Sequence, residues 1–224
     1  MKQTFKLEVY RGHLIMTCNG NEVLIDTGSP ETIGKGQTLE FMGKKVHCRK
    51  SLMGFSFNSV VELLGRDIDA LMGMDVLGSL CMQVDCAAGE VTFSDEPLAL
   101  DNATSLPLRV SAFGVTTEAE VAGRHANLIV DTGAQLSYIN EPFVAGLEST
   151  GMREDFHPFM GRYEVPTYDM TVKLAGRDVK MVCGASPAQV QQLIAIIHAD
   201  GVLGHDLFAQ GKVVLDFITK RLLF

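Results

Sequence analysis

An all-β fold of two matched lobes, related by pseudo-two-fold symmetry and carrying only short helices, is what this 224-residue sequence predicts. Three observations lead there. The stretch Val23-Leu24-Ile25-Asp26-Thr27-Gly28-Ser29 returns as Leu128-Ile129-Val130-Asp131-Thr132-Gly133-Ala134, at an offset of 105 (131 less 26). Further on, Asp200-Gly201-Val202-Leu203-Gly204-His205-Asp206-Leu207-Phe208 matches the segment from Asp69 to Leu77 at an offset of 131 (204 less 73), and residues 213–217 match the region of residues 81–85 to within one residue of that offset. Between these landmarks, short alternating runs are punctuated by turn dipeptides. One Asp-Thr-Gly is weak evidence, since average residue usage gives roughly 0.05 chance occurrences in a chain this long; two by accident have odds on the order of one in a thousand. An internal duplication explains all the matches.

Taken in order, residues 6–9 alternate charged with apolar side chains, and residues 14–18 and 22–25 flank Asn19-Gly20, a strong type I′ hairpin signal. After Asp26-Thr27-Gly28, Pro30, Gly34 and Gly36 exclude a long helix, and a second hairpin follows over residues 38–48 with Gly43-Lys44 at its turn. Ser59 is placed to cap a short helix through Val60, Val61, Leu63 and Leu64, ended by Gly65. A hairpin of residues 82–85 and 90–93 closes the half. Residues 94–105 are polar, acidic and non-periodic, as a connector should be, which divides the chain into lobes of residues 1–98 and 99–224. The plan then restarts with strands near residues 108–110 and 116–121, a turn at Gly123-Arg124 and the strand into Asp131.

The second half is longer by 26 residues (131 less 105) between its two motifs. Residues 38–46 align with residues 171–179 at an offset of 133 (171 less 38), so the insertion falls before Thr171. A helix over residues 141–147 and a loop rich in Phe, Pro and Tyr over residues 155–168 are thereby particular to the second half. A rival register pairs Phe41-Met42-Gly43 with Phe159-Met160-Gly161 and gives both halves such a loop.

Composition narrows the function classes. A hydrophobic fraction of 46% is ample for a packed core. A net charge of −8 argues against nucleic acid as a partner, since phosphate binding needs a positive field. No apolar run approaches the roughly 18 residues of a membrane span, and the first residues lack the apolar core of a signal peptide. The chain is expected to be cytoplasmic and away from membranes. Five cysteines without close Cys-x-x-Cys spacing read as small buried hydrophobes in a reducing compartment. The six histidines show no metal-ligand spacing, and Ser59, Ser137 and Ser186 lack a Gly-x-Ser-x-Gly setting. Neither a metal nor a cofactor is expected. The basic run of Lys44, Lys45, His47, Arg49 and Lys50 reads as a solvated strand face.

The chemistry rests on the repeated motif. Three apolar residues carry a buried strand into each Asp, and Thr-Gly turns the backbone where a side chain would obstruct close approach. Each half thus delivers one carboxylate at the end of a core strand. Two such carboxylates face to face cannot both ionise cheaply, so they share a proton. The motifs differ at Ser29 against Ala134. A Ser29 hydroxyl donating to its neighbouring carboxylate predicts that Asp26 ionises more easily and that Asp131 holds the shared proton.

Two apolar residues, Asp-Thr-Gly-Ser/Ala, and later two apolar residues and Gly: this pattern, present once per half and spanning nearly the whole chain, resembles the aspartic proteases of the retroviral and pepsin type. The chain looks like two retroviral-sized halves fused. The resemblance implies that Asp26 and Asp131 form a catalytic dyad, that Thr27 and Thr132 cross-brace the loops completed by Gly28, Ser29, Gly133 and Ala134, and that Gly73 and Gly204 pack behind them. It implies an aspartic endopeptidase acting as a monomer on a peptide or protein substrate; a catalytically silent peptide binder on the same fold is the alternative. Chain ends pair between lobes in this family, and a flap closes over bound peptide. Here the flap falls in residues 155–168, with Met160, Gly161 and Tyr163 as the candidate substrate contacts. Only 47 residues separate Asp26 from Gly73 (73 less 26), which leaves little room for a flap on the first half. Pepsin-type enzymes carry theirs on that lobe, so the arrangement is reversed.

Overall fold

Six two-residue turns fold most of this chain back on itself. In the computed structural model, which describes residues 1–224, Arg11-Gly12, Asn19-Gly20, Met42-Gly43, Met53-Gly54, Ala122-Gly123 and Ala175-Gly176 all have positive φ at both positions. Each joins two antiparallel strands. Such turns need the left-handed region twice, and glycine takes the second position while an ordinary residue tolerates φ near 50° at the first. The expected turns Gly43-Lys44 and Gly123-Arg124 therefore lie one residue too late. Lys44 and Arg124 already belong to strands.

Half of the chain is strand and 12% helix. The first half builds a hairpin of His13–Cys18 and Asn21–Ile25, to which Ala70–Met72 adds in parallel and Ile33–Gly34 adds antiparallel beyond it. The second half repeats this with Gly114–Val121, Arg124–Val130, Gly201–Leu203 and Ser137–Ile139. The repeat is thus one of topology as well as sequence. In both halves the strand entering the Asp-Thr-Gly loop is buried on both faces between neighbours, which its run of apolar residues allows.

The lobes are stitched by a shared sheet. Val213–Asp216 pairs with Cys81–Asp85 of the first half, and Arg221–Leu223 lies between Val213–Asp216 and Ser105–Pro107. On the other side, Glu90–Ser94 pairs with Cys81–Asp85 and with the N-terminal strand Lys2–Tyr10. The last two strands of the chain therefore sit in the sheet of the first half, and one apolar core runs through both, from Phe5 and Leu14 to Leu215 and Phe224. The expected pairing of both chain ends between halves takes another form: Val213–Asp216 crosses to Cys81–Asp85, Arg221–Leu223 pairs beside it with Ser105–Pro107 after the connector, and the N-terminal strand stays within the first half.

The first-half helix runs Phe57–Leu64 and ends at Gly65, whose N–H reaches Val61 O at 3.0 Å with φ 69°. Its cap is Ser56, not Ser59: Ser56 Oγ accepts from the Ser59 N–H at 3.1 Å. The burial of Phe57 pulls the helix start three residues ahead of the expected position. The helix expected over residues 141–147 is the single turn Glu141–Val144. Residues 38–47 form the short hairpin Thr38–Phe41 and Lys44–His47, the counterpart of the far end of Gly161–Leu174 and Arg177–Ala185. This agrees with the register that places the insertion before Thr171. The inserted residues make a long hairpin of Gly151–His157 and Gly161–Leu174. No helix is long and apolar enough to cross a membrane, and the five cysteines are unpaired.

Leu222 and Phe224 are buried in the shared sheet. Deleting residues 221–224 exposes their neighbours and unpairs Ser105–Pro107. At about 1.5–3 kcal/mol for each large apolar side chain lost, the melting temperature should fall by about 10 °C or more in calorimetry. A change of under about 3 °C would show that the shared sheet does not hold the lobes.

Candidate functional site

Strands Asn21–Ile25 and Arg124–Val130 end side by side at the centre of the molecule. The Asp26 N–H bonds Met72 O and the Asp131 N–H bonds Leu203 O, each at 3.0 Å, so both loops leave their sheets in the same way. Within the loops, Gly28 N and Ser29 N donate to Asp26 Oδ1 at 2.8 and 3.0 Å, and Gly133 N donates to Asp131 Oδ1 at 2.8 Å.

The two threonines lock the loops together. Thr27 N donates to Thr132 Oγ1 and Thr132 N to Thr27 Oγ1, both at 3.0 Å. Each hydroxyl then donates across the divide, Thr27 to Val130 O at 2.8 Å and Thr132 to Ile25 O at 2.9 Å. Both side chains are buried, with 1% exposure, so four bonds satisfy groups that no solvent reaches.

This brace sets the carboxyls against each other. A Cβ on Gly28 would lie 2.5 Å from Asp131 Oδ2, and one on Gly133 would lie 2.5 Å from Asp26 Oδ1. Each glycine is therefore what lets the opposite carboxyl approach. Gly73 and Gly204 do pack behind the loops: a Cβ on Gly73 would meet Ser29 O at 2.8 Å, and one on Gly204 would meet Ala134 O at 2.7 Å. Two hydroxyls to which the sequence assigned no such role complete that backing. Thr32 Oγ1 accepts from Gly73 N and Ser137 Oγ from Gly204 N, both at 3.1 Å. Their equivalent places, six residues after each Asp, were the signal that could have found them.

Burial raises both carboxyls above the ordinary range, Asp26 well above it, and the charge of Asp131 adds to the rise at Asp26. The hydroxyl expected to set the asymmetry does not reach the dyad. Ser29 Oγ donates to Glu31 O at 2.9 Å and leaves Asp26 to the backbone donors. Gly28 N and Ser29 N face Asp26 and Gly133 N faces Asp131, so the shared proton belongs to the pair.

The long hairpin reaches over to the first half. Arg162 Nη2 donates to Leu63 O at 2.7 Å, the Phe159 ring meets Phe55 edge-on with centroids 5.2 Å apart, and Phe156 lies 5.4 Å from the His13 ring. Gly161 takes φ 72° at the turn, and Met160 packs down on the apolar cluster around Tyr138 and Val165. Tyr163, expected at the tip, instead has its hydroxyl 3.1 Å from that of Tyr138, beneath the hairpin. Phe159 is the side chain the tip leaves half exposed. His13, which the sequence did not single out, bonds Gly133 O through Nδ1 at 2.8 Å; a carbonyl only accepts, so Nδ1 carries the proton. Burial brings its pKa down to about 4, which keeps the ring neutral. Between the halves, Arg11, His13, Leu64, Gln135, Phe156 and Arg162 surround a cavity of about 210 Å³. It is smaller than a typical pocket for a whole small-molecule ligand, which takes roughly 300–1,000 Å³, and is of a size for part of an extended one.

No protein-family model matches the sequence, and no curated protein is similar to it by sequence. Among solved structures, an aspartic proteinase from Irpex lacteus matches all of this chain and 96% of its own, at 10% identity and a TM-score of 0.55. The protease of simian foamy virus (mac) matches 40% of this chain and 86% of its own, at 22% identity and a TM-score of 0.30. The full-length match places the molecule in the bilobal, mostly β fold of pepsin-like aspartic proteases.

The electrostatics of the pair carry a consequence for stability. Carboxyls raised above their unfolded values bind protons more tightly in the folded state, so their contribution is complete below about pH 4 and is lost as pH rises through the raised values. Asp26→Asn removes that loss. Its melting temperature relative to the wild type should climb between pH 4 and pH 7.5; a difference that stays flat with pH would contradict the raised pair.

Proposed function

We propose that this protein is an aspartic endopeptidase that hydrolyses peptide bonds in a peptide or protein substrate, with one carboxyl from each half. The observation that carries the reading is the pair Asp26 and Asp131, held in mutual contact by the Thr27–Thr132 brace. A pair holding one proton has both tools that peptide hydrolysis needs. The ionised carboxyl takes a proton from a water between them, and the protonated one donates to the carbonyl oxygen as it becomes tetrahedral. Product formation returns the proton, so the pair is unchanged after each turnover.

The hairpin of Gly151–His157 and Gly161–Leu174 serves as the flap. Its contacts with Leu63 and Phe55 in the first half are a single polar bond and one aromatic edge at the surface. Such contacts can be broken to admit a peptide and remade over it, which excludes water from the reacting carbonyl. Phe159 and Met160 at the tip, with Gly161 giving the turn, are the proposed substrate contacts. Both Asp loops belong to one chain, so the enzyme acts as a monomer. Unpaired thiols fit a reducing compartment such as the cytoplasm.

A mixed peptide library, incubated between about pH 3 and pH 8 and read by mass spectrometry, tests the activity. Cleavage by the wild type that Asp26→Asn abolishes supports the endopeptidase. Retained peptide binding without cleavage at any pH would support a silent binder instead. For the active protein, specific activity should hold constant on dilution to nanomolar protein; a steep fall would mean that the site is built between chains. Because the Ser29 hydroxyl faces Glu31 O, Ser29→Ala should cost about 1 kcal/mol of stability and leave the acid limb of the pH profile in place. A shifted limb would restore the hydroxyl to the dyad.

A further inference from the structure

Beneath the flap lies a buried acid that the hydrolytic chemistry does not use. Asp155 is 5% exposed, on the first strand of the long hairpin, and three donors converge on it. Tyr138 Oη donates to Asp155 Oδ2 at 2.5 Å, while Gln135 Nε2 and Phe156 N donate to Oδ1 at 2.6 and 2.7 Å. Tyr163 stands opposite Asp155 across the hairpin, and its hydroxyl lies 3.1 Å from that of Tyr138. With its own proton given to Asp155, the Tyr138 oxygen accepts from Tyr163. One rung of the flap therefore sends a side chain from each strand to a single tyrosine.

The other end of this network leads to the dyad. Gln135 lies four residues after Asp131 and also donates to Glu154 O at 3.0 Å. Tyr138 belongs to Ser137–Ile139, paired with Gly201–Leu203, which in turn flanks the strand entering Asp131. Its ring is seated closely: a Cβ on Gly184 would stand 3.0 Å from Tyr138 Cε1. The root of the hairpin is thus bonded to the Asp131 loop through buried groups, whereas nearer its tip it meets the other half through one polar bond, the Phe159–Phe55 edge and the Phe156–His13 contact. An unpartnered Asp155 would be costly at this depth, so a purely mechanical anchor would be better made of apolar side chains.

We propose that Asp155, acting through Tyr138, Tyr163 and Gln135, is a positioning residue that fixes the flap relative to Asp131, so that flap and dyad are set as one body. This rests on the endopeptidase reading for its kinetic consequence, though the anchoring itself is independent of it. The groups facing Asp155 are Tyr138 and Tyr163, held neutral by burial, and Asp131, whose charge reaches it. Burial, and then the charge of Asp131, pushes the Asp155 carboxyl above the ordinary carboxylate range.

Two variants test the proposal. Tyr138→Phe removes the shared hydroxyl and keeps the ring; Asp155→Asn keeps the shape and the oxygen that accepts from Gln135 and Phe156, and presents to Tyr138 an NH2 from which its hydroxyl oxygen can accept. Amide hydrogen exchange over residues 152–164 should quicken about tenfold in Tyr138→Phe, as expected for one lost buried bond, with residues 137–139 still protected. Asp155→Asn should retain most of that protection. In kinetics, Tyr138→Phe should raise KM about tenfold with a smaller change in kcat. Unchanged exchange in Tyr138→Phe would overturn the proposal. So would losses of kcat/KM in both variants that simply track their stability, without that KM-against-kcat split. If the wild type cleaves nothing, the endopeptidase reading fails, and exchange alone decides whether the anchor exists.

Discussion

The threonine brace is the constraint on which the rest of this structure depends. Two loops that each end a core strand have no reason to meet unless their backbones are tied, and the tie must be made where water cannot substitute for it. Thr27 and Thr132 each accept one N–H and donate to one carbonyl of the opposite strand. Losing either hydroxyl would orphan buried donors and acceptors on both sides, at a cost of about 1–3 kcal/mol for each group. The brace sets the approach of Gly28 to Asp131 and of Gly133 to Asp26, and burial then raises both carboxyls while the Asp131 charge raises Asp26 further. Geometry and proton sharing are one effect seen at two levels.

Around this centre the molecule combines near symmetry with a single large departure. The hairpin, its parallel neighbour and the antiparallel strand beyond it recur in both halves, and each glycine behind a loop is held by a hydroxyl, from Thr32 or from Ser137. The departure is the long hairpin of the second half. It reaches from the second half to the first, with a buried polar root and a few contacts near its tip. Such a gradient of attachment lets one element be registered against the Asp131 loop at its root and less tightly held at its tip.

Much of this was legible in the sequence because the informative residues act locally. Asp-Thr-Gly after an apolar run, X-Gly at a hairpin turn, and Gly after the second apolar pair each report on backbone that has few alternatives. The duplicated spacing gave the symmetry, and the uneven offset placed the insertion. What escaped depended on where side chains turn in three dimensions. Ser29 carries a hydroxyl that either Asp26 or Glu31 O can accept, and only the folded loop decides for the latter. Tyr163 is as suited to a flap tip as to a buried bond, and its partner Tyr138 lies 25 residues earlier on another strand. Ser56 outcompeted Ser59 as a cap because Phe57 had to be buried. His13 and Asp155 belong to no motif at all, and their roles appear only once the halves are together.

The central claim is that the brace produces one electrostatic unit from two residues 105 apart. Carboxyl-carbon NMR of the protein labelled at aspartate, followed across pH, tests it most directly. The account predicts that Asp26 and Asp131 titrate together in two steps, the upper one well above the usual carboxylate range, and that Thr132→Val uncouples them. Independent single titrations near the ordinary aspartate value in the wild type would contradict it.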